Sequence, residues 1–384
     1  MILCVPMEIK RIIEKQLVQH ILKQNPPILI LYGPRRVGKT TLTEIIVSQL
    51  KFRTKMVYGD DPDVQRELAG IGLTGIQQYV AQYDLVVFDE AQYIPNIGGI
   101  LKLIADHVKG KKILVTGSSS LDIAKTVLEP LTGRKKVWYL YPIADEEVRD
   151  TTIQIPETTL SSYLRFGMYP VVLTTFGEEE KGAYLRQLLE DYVYKDALRI
   201  VGERNREPVR RLLIALAYQV GQEVSYTELS RTVGLDYKTV MKYLDILEEC
   251  FVLLRLPAFS RNMRTELRKS RKIYFVDVGI RNALVDYFVP FDKRNDRGSL
   301  WENWVIMERT KHDHYAQRSV KRYFWRTHDQ KEVDLIEEEA GQLTAVEIKW
   351  NRTSQTVGQH TFCTQYPGSN ALFIDRESYR GKED

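Results

Sequence analysis

The chain has 384 residues, 43% of them hydrophobic and 28% charged, and this length predicts about two to four compact units, each with its own core. The composition excludes collagen-like and wholly disordered classes, and a net charge of +4 is too small to make the whole surface a nucleic-acid partner. Cys4, Cys250 and Cys363 show neither disulfide nor zinc spacing, so a reducing compartment is expected. No apolar run approaches the roughly 20 residues that span a bilayer. We therefore expect a cytoplasmic protein with no membrane segment.

Residues 1–145 alternate short apolar runs with amphipathic stretches. The runs are PILILY (27–32), KMVY (55–58), DLVVF (84–88), KILVTG (112–117) and KVWYLY (136–141). Continuous Val, Ile and Leu runs separated by helical patterns are typical of a parallel sheet that is covered on both faces. The sequence therefore predicts an α/β layer domain over 1–145.

The first run leads into an unbroken GxxxxGK[ST] string and then into a helix pattern, TTLTEIIVSQL. The string is Gly33, Pro34, Arg35, Arg36, Val37, Gly38, Lys39 and Thr40. Glycines in such a loop let backbone N–H groups curl around phosphates at a helix N-terminus, where the helix dipole favours anions. Lys39 would reach the β- and γ-phosphates, Thr40 would ligate Mg²⁺, and Thr41 beside it would belong to the nucleotide site. The loop therefore predicts ATP and Mg²⁺ as cofactors.

A second pair of polar residues follows the buried run DLVVF. Asp89 is expected to hold Mg²⁺ through water, and Glu90 is placed to polarise the water that attacks the γ-phosphate. The run KILVTG ends in Ser118 and Ser119, which either sense the γ-phosphate or cap a helix. The spacing from the glycine loop favours an ATPase.

An enzyme of this kind needs an arginine near the charge that develops on the γ-phosphate. Arg134, in LTGRKK, is the first candidate, and Arg165 and Arg199 are the next. For each of them the alternative is an ordinary solvated surface arginine. An arginine supplied in trans would require a neighbouring subunit, so a homo-oligomer stays open.

The middle of the chain predicts two further regions. From 146 to 208 no strand-like run persists, and the spacing of Tyr184, Leu188 and Tyr192 indicates helices, hence a helical lid or extension. Residues 209–285 show helical segments followed by the strands FVLLRL and KIYFVDV. This order predicts a winged helix.

Within that region, residues 225–249 are typical of a short helix, a turn at Gly234 and a longer helix. The apolar stripe consists of Leu229, Val233, Leu235, Val240, Leu244 and Leu247. It leaves Lys238, Thr239 and Lys242 exposed on the second helix, as a helix-turn-helix presents side chains to a DNA groove. The next loop clusters Arg255, Arg261, Arg264, Arg268, Lys269, Arg271 and Lys272, which suits phosphate contacts. The alternative is a winged helix that only packs against other domains.

The last region, 286–384, begins with a helix pattern around LWENWVIM and continues with the strands YFWRT, EVDLIEE and LTAVEIKW. Glu347 and Lys349 point to one face of the last strand, Asp334 ends the strand before it, and Glu302 lies on the helix. Carboxylates near a lysine can hold Mg²⁺, generate hydroxide and stabilise a pentavalent phosphate. We interpret the set as a metal-dependent nuclease site with Asp334, Glu347 and Glu302 as ligands and Lys349 as a catalytic residue. The alternative is a salt-bridged strand face.

His312 and His314 resemble metal ligands, but no Cys or acid stands beside them at zinc spacing. We therefore expect both histidines to be solvated.

Taken together, these motifs resemble archaeal and bacterial AAA-type ATPases with a restriction-endonuclease-like C-terminal domain. The resemblance covers essentially the whole length and rests on GPRRVGKT, LVVFDEAQ, TGSSS, the pair Gly133 and Arg134, the RFGMYP turn at 165–170, GSLWENW, YFWRT, EVDLI and VEIKW. It implies a parallel P-loop sheet (1–145), a helical lid (146–208), a winged helix (209–285) and a PD-(D/E)xK-like α/β domain (286–384).

The function expected from these residues is ATP binding and hydrolysis coupled to DNA binding or remodelling, with nuclease activity left open. The alternative is an ATP-dependent regulatory switch that binds a protein or a promoter and keeps the nuclease-like domain as an inactive scaffold.

Overall fold

The computed structural model describes residues 9–118, 131–149, 159–260, 271–351 and 356–380. It divides into two compact units, one up to residue 154 together with 249–251, and the other made of 155–248 and 252–384. The predicted boundaries at 208/209 and 285/286 both fall inside the second unit.

A five-stranded parallel sheet forms the centre of the first unit. Its strands are Ile28–Tyr32 (β1), Thr54–Tyr58 (β2), Leu85–Asp89 (β3), Lys112–Gly117 (β4) and Lys135–Tyr139 (β5), in the order β2-β3-β4-β1-β5. Every residue of β1 and β3 is buried, as expected for strands covered on both faces. The predicted α/β fold class is confirmed.

Helices connect these strands and place the loops that matter for function. They are Glu14–Leu22 (α1), Lys39–Gln49 (α2), Pro62–Leu68 (α3), Leu73–Val80 (α4), Ile97–His107 (α5) and Asp145–Arg149 (α6), with a 3₁₀ turn at Ala91–Tyr93. Because neighbouring strands are parallel, the loops that follow β1, β3 and β4 meet at one edge of the sheet.

The second unit begins with short helices, in agreement with the helical pattern predicted after residue 146. They are Leu160–Phe166 (α7), Pro170–Thr174 (α8), Glu178–Leu188 (α9) and Lys195–Val201 (α10), with a π-helical turn at Leu189–Tyr194. The turn after α7 needs glycine, since Gly167 has a φ of +74° and a Cβ there would lie 2.0 Å from Asp277 Oδ1. The same carboxylate accepts a hydrogen bond from the Met168 N–H at 2.7 Å.

Three helices and a small antiparallel sheet follow, in the predicted order. The elements are Arg206–Tyr218 (α11), Glu223–Val224 (β6), Tyr226–Val233 (α12), Tyr237–Glu249 (α13), Leu253–Pro257 (β7) and Arg271–Phe275 (β8), with sheet order β6-β8-β7. Ser225 caps α12 by accepting a hydrogen bond from the Glu228 N–H. Gly234, with a φ of +69°, makes the turn that leads to α13.

The C-terminal part contains a mixed four-stranded sheet. The helices and strands of this part are Val278–Leu284 (α14), Arg297–Tyr315 (α15), Lys321–Arg326 (β9), Glu332–Glu339 (β10), Gln342–Ile348 (β11), Val357–Gln365 (α16), Asn370–Ile374 (β12) and Arg376–Arg380 (α17). The sheet order is β12-β11-β10-β9, with β11 and β12 parallel and the other pairs antiparallel. Among the helices of the described residues, none has both the length and the apolar character needed to cross a bilayer.

Candidate functional site

The loop between β1 and α2 has a backbone that requires glycine at two positions. Gly38 has a φ of +93° immediately before α2. At Gly33 a Cβ atom would lie 1.9 Å from the carbonyl oxygen of Leu140. The loop therefore curls tightly against the end of β5 and leads directly into the N-terminus of α2, where backbone N–H groups have no partner within the helix.

Lys39, the first residue of α2, is buried and turns back into this loop. Its Nζ donates hydrogen bonds to the carbonyl oxygens of Gly33 at 3.0 Å and Pro34 at 2.9 Å. These bonds hold the ammonium inside the curl of the loop. Phosphate oxygens, which carry more negative charge than a carbonyl oxygen, could replace them.

The other predicted nucleotide-binding residues differ in exposure. Pro34 and Val37 are buried, Arg35 is half-buried, and Arg36 and Thr41 are exposed. The Arg35 guanidinium donates a hydrogen bond to the hydroxyl of Tyr93, which lies in the 3₁₀ turn after β3. The loop and this turn are thereby connected.

Asp89 brings the end of β3 to the start of α2. Its Oδ2 accepts a hydrogen bond from Thr40 Oγ1 at 2.9 Å, and its Oδ1 accepts one from Thr116 Oγ1 at 2.5 Å. The two predicted Mg²⁺ ligands of the first unit are therefore neighbours. Thr116 was missed in the sequence, although it lies at the end of β4 beside the noted serine pair.

Glu90 follows Asp89 in a left-handed backbone conformation, with a φ of +47°. Its N–H donates to Thr116 Oγ1 at 3.1 Å, and its side-chain Oε2 accepts a hydrogen bond from Gln92 Nε2 at 2.5 Å. The same Gln92 nitrogen donates to Ser118 Oγ at 3.0 Å. The predicted base and the predicted sensor are therefore linked through Gln92. Ser119 lies outside the described residues.

A buried arginine that the sequence did not single out supports the loop from behind. Arg11 donates to the carbonyl oxygens of Val37 and Tyr141, each at 2.7 Å, and its Nε forms an ion pair with Glu147 at 3.0 Å. Glu147 also accepts a hydrogen bond from the Ala144 N–H at 2.9 Å. The network fixes the backbone of the loop relative to the end of β5.

The structure does not bring Arg134 to the loop of its own chain. Its carbonyl oxygen accepts from the N–H of Ile28, the first residue of β1, whereas the loop follows Tyr32 at the other end of that strand, about 13 Å away. Its Nε pairs with Asp106 at 2.5 Å. A role of Arg134 at the phosphates of its own subunit is therefore not supported, and a role in trans stays a prediction.

Arg165 and Arg199, the next candidates after Arg134, both lie in the second unit. Arg165 is buried and forms an ion pair with Glu178, and its Nη2 donates to the Phe288 carbonyl oxygen at 2.9 Å. Arg199 is exposed on α10. The Arg165 contacts are those of a structural residue.

On α13, Lys238 and Lys242 are exposed as predicted, beside the exposed Tyr237. Thr239 departs from the prediction, because it is half-buried and its N–H donates to Asp236 Oδ1 at 3.0 Å. Hydrogen bonds from the Thr239 hydroxyl and N–H lower the pKa of Asp236. Thr239 thus bonds to Asp236, the residue just before α13. The exposed cations of α13 are Lys238 and Lys242.

The basic loop after α13 is only partly available for phosphate contacts. Arg261, Arg264, Arg268 and Lys269 lie outside the described residues. Arg255 is paired with Asp245 at 2.7 Å and with Glu248 at 2.5 Å. Lys272 is buried among carboxylates. The expectation that these last two cations face DNA is wrong, because both are neutralised inside the protein.

Asp334, Glu347 and Lys349 lie together where β10 begins and β11 ends. Asp334 is the third residue of β10, so the prediction that it ends this strand is wrong, because the strand continues to Glu339. Lys349 Nζ contacts Asp334 Oδ2 at 2.8 Å and Glu347 Oε1 at 3.0 Å, and the Ile348 N–H donates to Asp334 Oδ2 at 2.9 Å. Burial, together with the charge of Asp334, raises the pKa of Glu347. Burial alone would lower the pKa of Lys349, but the two carboxylates raise it.

Glu302 has different partners from those expected of a metal ligand. Its Oε1 accepts hydrogen bonds from Tyr274 Oη at 2.6 Å and from Lys272 Nζ at 3.1 Å, and Lys272 also pairs with Glu332 at 2.6 Å. Burial is the main cause that raises the pKa of Glu302 to about 7.

No group of three or more His, Cys, Asp or Glu side chains in the described ranges is arranged to hold a metal ion. The prediction that Glu302 joins Asp334 and Glu347 as a third ligand is therefore not supported. Glu302 Oε1 already accepts hydrogen bonds from the Lys272 ammonium and the Tyr274 hydroxyl. Lys272 and Tyr274 were not expected in this cluster.

The two histidines of α15 differ. The side chain of His312 is 57% exposed, as predicted. His314 is half-buried, and burial, with the charge of Arg322, lowers its pKa to about 4. The expectation that His314 is solvated is wrong, because its ring is half-buried and lies near the charge of Arg322.

Family models match the chain in three consecutive segments. Residues 25–149 match the AAA domain, 157–290 match a domain of unknown function (DUF8612), and 297–377 match another domain of unknown function (DUF4143). The segment that matches the AAA domain contains the glycine loop, Asp89 and Glu90, whereas the helix α13 and the carboxylate cluster fall in the two segments of unknown function.

Two relatives similar to this chain are described as uncharacterized proteins. An uncharacterized protein of Mycobacterium tuberculosis is 28% identical over 334 residues, which cover 85% of this chain and 71% of that protein. An uncharacterized protein of Methanocaldococcus jannaschii is 28% identical over 317 residues, covering 71% of this chain and 65% of that protein. Among solved structures, the Thermotoga maritima RuvB Holliday junction branch migration motor aligns with 73% of this chain and 96% of that chain, at 15% identity and a TM-score of 0.34.

Proposed function

We propose that the chain hydrolyses ATP in its AAA domain. The observation that carries this proposal is the 2.9 Å hydrogen bond between Thr40 and Asp89, which joins the start of α2 to the end of β3. Hydroxyl and carboxylate oxygens are hard donors of the kind that Mg²⁺ prefers, so these two residues would hold the ion. The bound ion would neutralise part of the phosphate charge. Lys39 would bind the β- and γ-phosphates, and Glu90 would accept the proton of the attacking water.

An ATPase assay with Glu90→Gln tests this proposal. The amide keeps a hydrogen-bonding group of the same size but cannot accept the proton, so ATP binding should persist while turnover stops. Glu44→Gln, at an exposed position of α2, is the matched control and should hydrolyse ATP at the wild-type rate. Wild-type turnover in Glu90→Gln would mean that Glu90 has the wrong assignment.

A finer part of the proposal is that nucleotide state drives binding or remodelling of DNA through α13. Its support is the pair of exposed lysines one helical turn apart, Lys238 and Lys242, with Tyr237 exposed beside them. Residues at i and i+4 share one face of a helix, so both ammonium groups can contact one strand of phosphates. The basic residues Arg261, Arg264 and Arg268 follow in the sequence.

Salt-dependent DNA binding tests this part. The double variant Lys238→Ala/Lys242→Ala should weaken binding and reduce the slope of log K against log salt by about two, because each lost phosphate contact removes about 0.9. The control variant Lys102→Ala/Lys109→Ala removes two exposed lysines of the first unit. ATP hydrolysis is measured with duplex, branched and single-stranded DNA at low salt. If none of these binds or stimulates hydrolysis, DNA is not the partner.

Metal-dependent cleavage by Asp334, Glu347 and Lys349 is the least supported part of the proposal. In its favour, Glu347 Oε2 is buried and lies beyond hydrogen-bonding distance of the donors among the described residues, so a metal ion could use this oxygen. The Thr356 hydroxyl is close enough to lower the pKa of the carboxyl. Asp334→Ala and Glu347→Ala should each eliminate cleavage, and the double variant should lose nothing further. Lys349→Ala should reduce cleavage, because it removes charge stabilisation of the transition state. ATP hydrolysis should survive in all of these variants.

One observation favours the alternative, an ATP-dependent switch with an inactive nuclease-like scaffold. Lys272 already neutralises Glu302 and Glu332, so this part of the cluster has an internal cation. Slow ATP turnover that no nucleic acid changes, no DNA cleavage with Mg²⁺ or Mn²⁺, and no thermal shift with Mn²⁺ would support the switch over the nuclease.

A further inference from the structure

The 3₁₀ turn Ala91–Tyr93, directly after Asp89 and Glu90, has contacts that the roles assigned so far do not use. Gln92 Nε2 donates to the Glu90 carboxylate at 2.5 Å and to the Ser118 hydroxyl at 3.0 Å. Tyr93 accepts a hydrogen bond from Arg35 of the glycine loop. The turn therefore contacts the base, the end of β4 and the phosphate loop at once.

The chemistry of these partners fixes the orientation of the Gln92 amide. An ionised carboxylate only accepts hydrogen bonds, so the group that faces Glu90 must be the NH₂. Both amide hydrogens are then used, one by Glu90 and one by Ser118. The carbonyl oxygen Oε1 is buried and has no hydrogen-bond partner among the described residues.

A buried carbonyl oxygen without a partner costs free energy unless another group donates to it. Oε1 and Nε2 are bonded to the same amide carbon, so Oε1 lies close to the Glu90 carboxylate that the NH₂ contacts. A water molecule that donates one hydrogen to Glu90 has a second hydrogen available for a neighbouring acceptor. Oε1 is an acceptor of that kind.

We propose that Gln92 is a positioning residue for hydrolysis, whose NH₂ orients the Glu90 carboxylate and whose carbonyl oxygen accepts a hydrogen bond from the attacking water. This rests on the proposed ATPase function. In the reaction, the water oxygen bonds to the γ-phosphorus, the bond from phosphorus to the β,γ-bridging oxygen breaks, and ADP leaves with that electron pair. One water proton passes to Glu90. Gln92 exchanges no proton and acts only through the placement of the other two groups.

The inference predicts a separation of catalysis from binding. Gln92→Met keeps the length of the side chain and removes both hydrogen-bonding functions, so kcat should fall roughly 10- to 100-fold, as expected when reacting groups are misplaced by about 1 Å. The Kd for MgATP should change by less than about twofold, because the hydrogen bonds of Gln92 within the described part of the chain run to Glu90 and Ser118 rather than to the loop backbone or Lys39. Gln92→Asn keeps the amide on a side chain one methylene shorter and should recover part of the rate.

Single-turnover hydrolysis and equilibrium MgATP binding are measured for wild type, Gln92→Met, Gln92→Asn and Gln77→Met. Gln77 is exposed on α4, so its variant should behave as wild type. Wild-type kcat in Gln92→Met would overturn the inference, and so would a faster rate, since that would make Gln92 a restraint on Glu90. Equal losses of kcat and of MgATP affinity would also overturn it, because they indicate a merely structural role.

Glu90→Gln, measured in the same series, separates the two levels of the argument. If it hydrolyses ATP normally, the proposed function of Glu90 fails and the role of Gln92 fails with it. If it stops turnover while Gln92→Met remains fully active, only the inference about Gln92 is wrong.

Discussion

The phosphate loop of the first unit and the carboxylate cluster of the second both contain buried lysines, and the lysines have different partners. Two hydrogen bonds of Lys39 run to backbone carbonyl oxygens, those of Gly33 and Pro34. Lys272 and Lys349 are each held by two carboxylates. A carbonyl oxygen carries a partial charge, whereas a carboxylate carries a full one.

This difference determines what each site can accept. Phosphate can replace the carbonyl contacts of Lys39 with stronger, charge-assisted bonds, so the loop is arranged to receive an anion. In the carboxylate cluster, four acids, Glu302, Glu332, Asp334 and Glu347, surround two ammonium groups. A divalent cation entering there competes with lysines that are already in place.

The largest expected effect comes from removing the internal cation of the cluster. Lys272→Met keeps the length of the side chain but leaves Glu302 and Glu332 without their ammonium, and breaking a buried ion pair costs about 3 to 5 kcal/mol of unfolding free energy. Urea unfolding followed by tryptophan fluorescence measures this in the second unit, which contains Trp301, Trp304, Trp325 and Trp350.

Added Mn²⁺ sharpens the same experiment. A divalent cation can take the place of the ammonium between the two carboxylates, so Mn²⁺ should raise the Tm of Lys272→Met more than that of the wild type. Equal shifts, or none in either protein, would show that these carboxylates do not bind a cation even when Lys272 is gone.

The next effect concerns the phosphate loop. Lys39→Ala removes charged hydrogen bonds to phosphate worth about 3 kcal/mol or more, so affinity for ATP should fall at least roughly 100-fold. Calorimetric titration with MgATP measures it, and Lys51→Ala, at an exposed position just after α2, is the control. If Lys39→Ala keeps its affinity for ATP, the ammonium of Lys39 does not bind phosphate.

The proximity of residues in the first site could be predicted from the sequence because these residues belong to local motifs. Gly33, Gly38 and Lys39 lie in one string, and parallel strands bring the residue after one strand beside the loop after another, so Asp89 beside Thr40 follows from topology. Arg11 could not be found in this way. Its partner Glu147 is 136 residues away, and no pattern near Arg11 predicts that contact.

The cluster of the second unit was harder to predict for a related reason. Lys272 lies in a run of basic residues and was interpreted as a phosphate contact, but it is on β8, where alternate residues share a face. Lys272 and Tyr274 therefore point the same way and meet Glu302 of α15. The alternation in KIYF was visible in the sequence, whereas the element packed against it was not.

A smaller effect is expected at the other lysine of the cluster. Lys349 is 37% exposed at its side chain, against 3% for Lys272, and Asp334 keeps the Ile348 N–H when Lys349 is lost. Lys349→Ala should therefore cost about 1 to 3 kcal/mol, less than Lys272→Met. The control is Lys321→Ala, whose lysine is 70% exposed and 4.0 Å from Glu338, and it should cost less than about 0.5 kcal/mol. A larger loss at Lys349 than at Lys272 would reverse the assignment of the main internal cation.

The smallest expected effect is a pH dependence of the unfolding free energy, caused by a histidine on the helix that carries Glu302. His314, on the same helix α15, has a pKa lowered to about 4 by burial and by the charge of Arg322, so the folded protein resists its protonation. An unfolded histidine has a pKa near 6.5 and takes up a proton first, so this contribution to stability is present above that pH and is lost as the pH falls toward 4. Between pH 7 and 5.5 the loss should be about 1 kcal/mol. His314→Gln should remove that part of the difference in unfolding free energy, while His312→Gln, on the exposed face of α15, should leave it in place. If both variants keep the full pH dependence of the unfolding free energy, other groups cause it. His314 would then be more exposed to water than it is in the structure.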